Sequence, residues 1–448
     1  MRTHESRRVL TLAAGWCLPA ALLTSGAALP LAESDVFRIQ LPPDARAYPE
    51  PLAPGHPTPG FRFRGIKGWH WTPSQYLAEI PFLAKFKMNF LMNCYLSLFT
   101  SGAGEPLRNE WWRPMTDERK RDYADVIRSC RDHGITFCFA VHPQLASSRP
   151  LDPDHQEDVD LLYQHYAWAQ GRGVRWFSVC LDDVGWGAGG PAAGGAAHAR
   201  LANNLLGRLR GADPGAQLIL CPVSYWGNGA NFQDRVYLEA LGGALHPDIY
   251  VFWTGDEIFT RRITRRAADS YKRVVGHRLF LWDNYPDNDG NPTMQLGPVR
   301  GREADLCEVI DGYMGNPMGA QNEINRIPMA TCADYAYNPW AYDPERSIGQ
   351  AILHLSKNDG QRRVLRDLVE AYPGFIITGG DSRTNPVRGR FAALLAATGG
   401  RPAAGDFVRK VDELHGRLGR DFPGQFEAAK QTVTGDIAWM RRQLDTGR

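Results

Sequence analysis

Two neighbouring acids, Asp182 and Asp183, close an apolar run in which Trp176, Phe177 and Val179 precede them. Successive side chains of a strand point to opposite faces, but where a strand ends the backbone bends, and both acids can then reach one pocket from different angles. Two carboxylates brought close repel when ionised, so one tends to keep its proton and can serve as a general acid. An Asp pair that caps a helix or solvates a loop is the ordinary alternative. A conventional retaining pair of nucleophile and acid stands about 5 Å apart on separate supports, which sequence neighbours do not naturally supply. Adjacent acids suit a substrate that brings its own nucleophile: the carbonyl oxygen of a 2-acetamido group attacks the anomeric carbon, one carboxylate engages the amide N–H and one acid protonates the leaving oxygen. An intramolecular nucleophile has a large effective molarity, so the protein need only aim it.

The elements that would hold such a pair are legible as periodicity. Short β-branched and aromatic runs alternate with stretches of helical period, the pattern of βα units with a parallel sheet. Eight runs occur: Phe61 to Trp69, Asn89 to Phe99, Ile135 to His142, Trp176 to Asp183, Gln217 to Trp226, Asp248 to Gly255, Arg278 to Tyr285, and Val309 to Pro317. Eight parallel strands close a (β/α)8 barrel, an α/β TIM barrel whose chemistry sits on the C-terminal rim. The runs are apolar until their last positions, which turn polar or glycine-rich, as in Leu-Asp-Asp-Val-Gly and Leu-Trp-Asp-Asn-Tyr. Pro73 opens a helical segment with Leu77, Ile80, Ala84 and Met88 on one face, and Thr116 caps another bearing Tyr123, Val126, Ile127 and Cys130 before a stop at Gly134. Gly187 to Ala197 reads as a small-residue loop able to move over a ligand.

Beyond residue 356 the strand signals cease apart from Phe375 to Thr378. Amphipathic segments near Arg363 to Ala371, Val387 to Ala397, Phe407 to Leu418 and Phe426 to Leu444 predict a mainly helical C-terminal domain. At the other end, Arg7 and Arg8 precede an apolar, Ala- and Leu-rich stretch, which reads as a secretory signal, and Ser6-Arg7-Arg8-Val9-Leu10 also fits a twin-arginine signal. The expected organisation is therefore a signal over 1–32, an extended proline-rich lead-in over 33–60, a catalytic barrel over 61–355 and a helical domain over 356–448. An exported protein, periplasmic or extracellular, follows from this reading, with no membrane span once the signal is removed.

The formal charge of +2, without a basic run beyond the first few residues, gives no nucleic-acid surface. Thirteen Trp and sixteen Tyr supply flat faces suited to stacking on sugar rings, though most such residues belong to cores. Of the eight cysteines, Cys17 falls in the signal, and Cys94, Cys138, Cys180 and Cys221 lie in apolar runs where a thiol behaves as a small hydrophobe. No CxxC or HExxH occurs, so neither a metal site nor a cofactor is expected. The oligomeric state is not legible.

The stretch from Arg64 to Pro344 resembles family 84 of the glycoside hydrolases, the β-N-acetylglucosaminidases and O-GlcNAcases. The matching pieces run in order: the Asp182-Asp183 pair, Cys221-Pro222 with Tyr225 and Gly227, Trp253-Thr254-Gly255, Trp282-Asp283-Asn284-Tyr285 with Asn288-Asp289, Gly297-Pro298 with Gly301-Arg302, Asn316-Pro317, and Asn338-Pro339 with Tyr342-Asp343-Pro344. The resemblance implies a retaining hydrolase that removes a β-linked 2-acetamido-2-deoxy sugar through an oxazoline, from a carbohydrate or glycoconjugate substrate. It implies that Asp182 polarises the acetamido N–H and that Asp183 acts as acid, then base. Tyr225 would bond near the acetamido oxygen, Thr254 and Trp282 would line the acetyl pocket, and Asn284 would hold Asp182 or the acetamido group. Asp289 and Asn316 would bind sugar hydroxyls, with Gly68 of the first strand end also against the sugar.

Two departures stand out. The family opens its barrel with Glu-Gly-Phe-Tyr-Gly, and this chain has Lys67-Gly68-Trp69-His70-Trp71. The family's second strand ends in Ala-Pro-Lys-Asp-Asp, whose lysine contacts a sugar hydroxyl; here Asn93-Cys94-Tyr95-Leu96-Ser97 holds no lysine or acid. Hydroxyl recognition on that side must differ, and a substituted ring or changed stereochemistry is expected there. A barrel that binds glycans without cleaving them, or a glycosidase of other sugar specificity, are the alternative readings.

Overall fold

A computed structural model describes residues 37–99, 108–187, 189–287, 293–380 and 382–446. The signal expected over 1–32 and the hydroxyl ligand expected at Asp289 lie outside the described residues. Residues 37–448 form one compact unit.

Eight strands close a barrel in chain order: β1 (Phe63–Ile66), β2 (Phe90–Met92), β3 (Thr136–Val141), β4 (Trp176–Cys180), β5 (Gln217–Cys221), β6 (Tyr250–Trp253), β7 (Leu279–Asp283) and β8 (Ile310–Gly315). Every neighbouring pair is parallel, and β8 returns to β1 with Gly315 beside Ile66. All eight expected runs contain a strand, and each strand is shorter than its run. The polar tails counted as strand bend away at the rim, where ladder hydrogen bonds give way to turns.

The alternation of a pleated strand sorts side chains between two cores. On β4, Phe177 and Val179 join the apolar layer shared with the surrounding helices, while Cys180 joins the barrel interior with Phe63, Phe90, Phe252, Phe280 and Trp282. Five large rings leave little room, and the small thiols of Cys138, Cys180 and Cys221 fill what remains. Gly312 serves the same economy of space, since a Cβ there would lie 2.2 Å from the Phe280 ring.

Helices α1 (Pro73–Lys85), α2 (Asp117–Asp132), α3 (Gln156–Gln170), α4 (Gly190–Ala212), α5 (Phe232–Ala244) and α6 (Arg265–Val275) follow the first six strands. Thr72 and Gln75 form a reciprocal capping box at α1, and the Thr116 hydroxyl accepts the Arg119 N–H at α2. The buried face of α1 is Tyr76, Glu79, Ile80, Phe82 and Leu83, rotated from the expected one; Met88 lies beyond the helix. The small-residue loop expected at Gly187 to Ala197 is mostly the first turns of α4, for which alanine is a strong former and Pro191 a suitable opening residue. Among the described residues, a 3-10 turn at Ala304–Glu308 is the only helical element between β7 and β8.

After β8 come α7 (Arg326–Tyr337), α8 (Pro344–Leu355), α9 (Asp359–Ala371), α10 (Phe375–Thr378), α11 (Pro386–Ala396), α12 (Arg401–Asp421) and α13 (Glu427–Thr446). The strand-like run Phe375 to Thr378 is a single helical turn, flanked by Gly374 and Gly379 at φ of 86° and 81°. The C-terminal helices share a second apolar core with Ile327 of α7, Ile348 and Ile352 of α8, and Met294 and Leu296 of the β7–β8 connection. They thus buttress the loop that carries part of the rim. No described helix is long and apolar enough to cross a membrane.

Candidate active site

A small cavity of about 50 Å³, open to solvent, lies at the C-terminal rim, where a (β/α)8 barrel carries its chemistry. Residues from β1 and β2 (Trp69, Tyr95), β4 (Asp182, Asp183), β5 (Cys221, Tyr225), β6 (Thr254, Ile258, Phe259), β7 (Trp282, Asn284, Asp287) and β8 (Asn316) line it.

The two acids reach it by different routes. The Leu181 N–H still bonds to the Cys221 carbonyl at 2.9 Å, and the chain then breaks from the sheet. Asp183 adopts φ of +58°, a left-handed conformation that aspartate tolerates better than most residues and that turns its side chain to the cavity already entered by Asp182. Such strain persists only where surroundings over-determine it, and it gathers at functional sites. Asp182 is buried and tightly held. The Tyr95 hydroxyl donates to its Oδ2, and His142 Nε2 donates to its main-chain oxygen at 2.8 Å. His142 Nδ1 accepts the Leu145 N–H at 3.0 Å, which leaves the proton on Nε2. Burial pushes the pKa of His142 down, so this ring is the neutral tautomer.

The remaining oxygen, Asp182 Oδ1, is buried and finds no hydrogen-bond partner among the described residues. A carboxylate oxygen left so in a cavity is an acceptor awaiting a donor. The Tyr225 hydroxyl donates to Asp183 Oδ1 at 2.8 Å, and burial together with the Asp183 charge drives the Tyr225 pKa upward, so the phenol keeps its proton. The resemblance leads one to expect an acetamido oxygen as the partner of Tyr225; within the chain its partner is the second acid.

On the opposite wall the polar groups hold one another. Trp282 Nε1 donates to Asn284 Oδ1 at 2.9 Å, Asn316 Nδ2 donates to the same oxygen at 2.9 Å and to Asp287 Oδ2 at 2.6 Å, and Asn284 Nδ2 donates to the Ile258 carbonyl at 2.9 Å. Asn284 lines the cavity within this network, and the residues that bond to Asp182 are Tyr95 and His142. Thr254 lines the cavity with its hydroxyl turned to the Glu257 carbonyl. Below the network, Arg302 grips buried Asp283 through Nε at 2.8 Å and a second nitrogen at 2.5 Å, with the Tyr313 hydroxyl on the same carboxylate at 2.8 Å.

Gly68 does not line the cavity. Its φ is +80°, a Cβ would lie 2.5 Å from the Trp71 ring, and its carbonyl accepts the Trp71 N–H, so it makes the turn that delivers Trp69 to the wall. Asp287, two positions before the expected Asp289, is the described acid on this side; both stand in the same Asp-Asn-Asp run, and spacing alone does not separate them. Sequence reasoning also missed Tyr95 and His142 as supports of Asp182, since nothing local in either strand end signals a partner on β4.

A closed parallel barrel with two acids at the end of β4, facing amide and tryptophan groups from β7 and β8, defines a glycoside-hydrolase site. A model of the β-N-acetylglucosaminidase family matches residues 64–370, and the chain belongs to that family, family 84 of the glycoside hydrolases. The chain is 25% identical over 233 residues to Protein O-GlcNAcase of Mus musculus and, to the same extent, to that of Rattus norvegicus; the match covers 50% of this chain and 25% of each relative. In fold it is similar to a variant of the O-GlcNAc hydrolase of Thermobaculum terrenum, with a TM-score of 0.71 at 22% identity over 86% of this chain and 83% of that one.

Proposed function

We propose that the protein hydrolyses a β-linked 2-acetamido-2-deoxy sugar, N-acetylglucosamine or a close variant, with retention and through an oxazoline. The observation that carries this reading is that both acids line one rim cavity, with Asp182 Oδ1 engaged by no hydrogen bond among the described residues and Asp183 held by Tyr225. In the first step the acetamido N–H donates to Asp182, which draws electron density toward the carbonyl oxygen as that oxygen attacks the anomeric carbon. Asp183 gives its proton to the departing oxygen. In the second step Asp183 takes a proton from water, the water oxygen attacks the anomeric carbon, and the ring-opened acetamide is released. The large gain comes from an attacking atom already tethered to the substrate, which Trp282 and Thr254 confine by shape.

Family membership and the site geometry support this reading, and the test is direct. Release of phenol from an aryl 2-acetamido-β-glucoside, with far slower release from the matching glucoside and strong inhibition by a thiazoline analogue of the oxazoline, is the expected outcome. Equal rates on both sugars with no thiazoline inhibition would refute it. Residues 1–32 act, in the same reading, as an export signal that delivers the enzyme to the periplasm or beyond, which cell fractionation of the full-length chain checks.

A further inference from the structure

The β1 end carries a charge the acetamido mechanism does not use. Lys67 is fully buried, and its Nζ finds no hydrogen-bond partner among the described residues. The ammonium lies 3.8 Å from the ring centre of Trp282, 4.2 Å from that of Trp69 and 4.3 Å from that of Tyr95. These distances are those of cation–π contacts, and enclosure by three rings strengthens each of them by excluding water. All three rings are walls of the cavity.

A buried ammonium without a counter-charge is strongly unfavourable, and so is a buried carboxylate. One tyrosine joins the two here: Tyr95 presents its ring to Lys67 and its hydroxyl to Asp182. The buried thiols of Cys180 and Cys221, and the His142 ring, each feel the negative charge of Asp182 and the positive charge of Lys67 together. Of the groups facing Asp182, His142 on β3, Cys180 on β4, Cys221 on β5 and the phenols of Tyr95 and Tyr225 are neutral, because burial opposes their charged forms. Asp183 is the other acid, and its charge would oppose that of Asp182. Lys67 is thus the balancing cation of this interior.

We infer that Lys67 is a positioning residue: its enclosed ammonium fixes Trp69, Tyr95 and Trp282 as the wall of the cavity and sets a positive charge across the Tyr95 ring from the Asp182 carboxylate that must meet the acetamido N–H. The inference rests on the acetamido reading. It also accounts for the second strand, where Tyr95 occupies the place of the lysine the family pattern leads one to expect; the positive charge enters from the first strand instead.

The test uses the full chain with Lys67→Met, which keeps length and removes charge, and Lys67→Arg, which keeps charge. Profiles of kcat/KM against pH on an aryl 2-acetamido-β-glucoside are compared with wild type. Lys67→Met is expected to move the acid limb upward by roughly one pH unit, the scale of one nearby opposite charge, and to leave the basic limb in place. Lys67→Arg should keep the wild-type limb even where its kcat falls. A Lys67→Met profile that superposes on wild type after scaling, or a Lys67→Arg limb displaced equally, overturns the inference. If Lys67→Met does not fold, Lys67→Gln replaces it as the neutral variant under the same criteria. Wild-type inactivity on the acetamido sugar would refute the acetamido reading itself. The charge coupling is then read without substrate, by titrating tryptophan fluorescence against an Asp182→Asn blank. A transition absent from the blank and displaced upward in the neutral variant supports the coupling, and an undisplaced one overturns it.

Discussion

The rim of this barrel has two sides built on different principles. From β6 to β8 the polar side chains hold one another: Trp282, Asn284, Asn316 and Asp287 form a continuous chain of hydrogen bonds in which Asn316 Oδ1 alone has no partner among the described residues, with the Arg302–Asp283 fork beneath. From β1 to β4 the wall is largely aromatic, and of its three charged groups Lys67 Nζ and one oxygen of Asp182, Oδ1, are buried without hydrogen-bond partners among the described residues, while Asp183 is held by Tyr225. A connected network of hydrogen bonds holds its members in place and presents a fixed shape. An unsatisfied charged pair is a stored preference for a particular occupant, or for each other. The difference suggests that shape is read on one side of the sugar and charge development is managed on the other.

The sharpest way to break this comparison is to separate the two acids. Asp183→Asn should lower kcat/KM by about 10²–10⁴-fold on a sugar with a poor leaving group and much less on a nitrophenyl sugar, because kcat/KM reports the first step and only the former leaving group needs the proton there. Asp182→Asn should depress both rates alike, since attack by the acetamido oxygen is common to them. Steady-state rates on the two substrates check this; equal sensitivity of both variants to the leaving group would dissolve the assignment of separate roles.

The polar side makes its own prediction. Arg302→Met strands the buried Asp283 carboxylate, with an expected loss of about 3–5 kcal/mol in chemical denaturation. Replacing Asp283 by a neutral residue as well should recover much of that, because the pair is a poor source of net stability once both charges are gone. If the single variant is unaffected, the rigidity attributed to this side has another origin.

The same contrast between forked and unforked acids can be sharpened away from the rim. Asp334 on α7 is buried without an arginine fork, and burial raises its pKa to about 6, against the lowering bonds from the Glu50 N–H and Ser347. Because the folded value lies above the unfolded one, the folded state binds the extra proton. Stability is therefore greatest below about pH 4 for this group and declines as pH rises through 6. Asp334→Asn should remove that slope, worth about 2–3 kcal/mol between pH 4 and 7. Parallel denaturation curves at several pH values for both proteins provide the check.

What could be read beforehand divides along similar lines. The strands and the Asp182-Asp183 pair were legible because apolar runs that end in polar residues state both an element and its rim. The polar network from β6 to β8 was legible as a set of ordered motifs, though the partners within it were not. Lys67, Tyr95 and His142 are illegible in role, since His142 and Tyr95 act on Asp182 from forty and 87 positions away and Lys67 acts through rings at other strand ends. The α4 start and the α10 turn were misread because glycine, alanine and β-branched residues are compatible with several conformations, and neighbouring glycines decide between them.

The smallest predicted effect bears most directly on the aromatic side. Tyr95→Phe keeps the ring that faces Lys67 and deletes only the hydroxyl that donates to Asp182 Oδ2. A hydrogen bond to a charged group contributes about 1.5–3 kcal/mol, part of which the His142 contact to the Asp182 main chain will preserve by holding the backbone in place. The expected result is a fall of about tenfold in kcat, equivalent to roughly 1.4 kcal/mol, with KM little changed because the wall keeps its shape. A change in KM with kcat intact would mean instead that the hydroxyl serves the resting sugar, and that the two sides of the rim share the task of reading its shape.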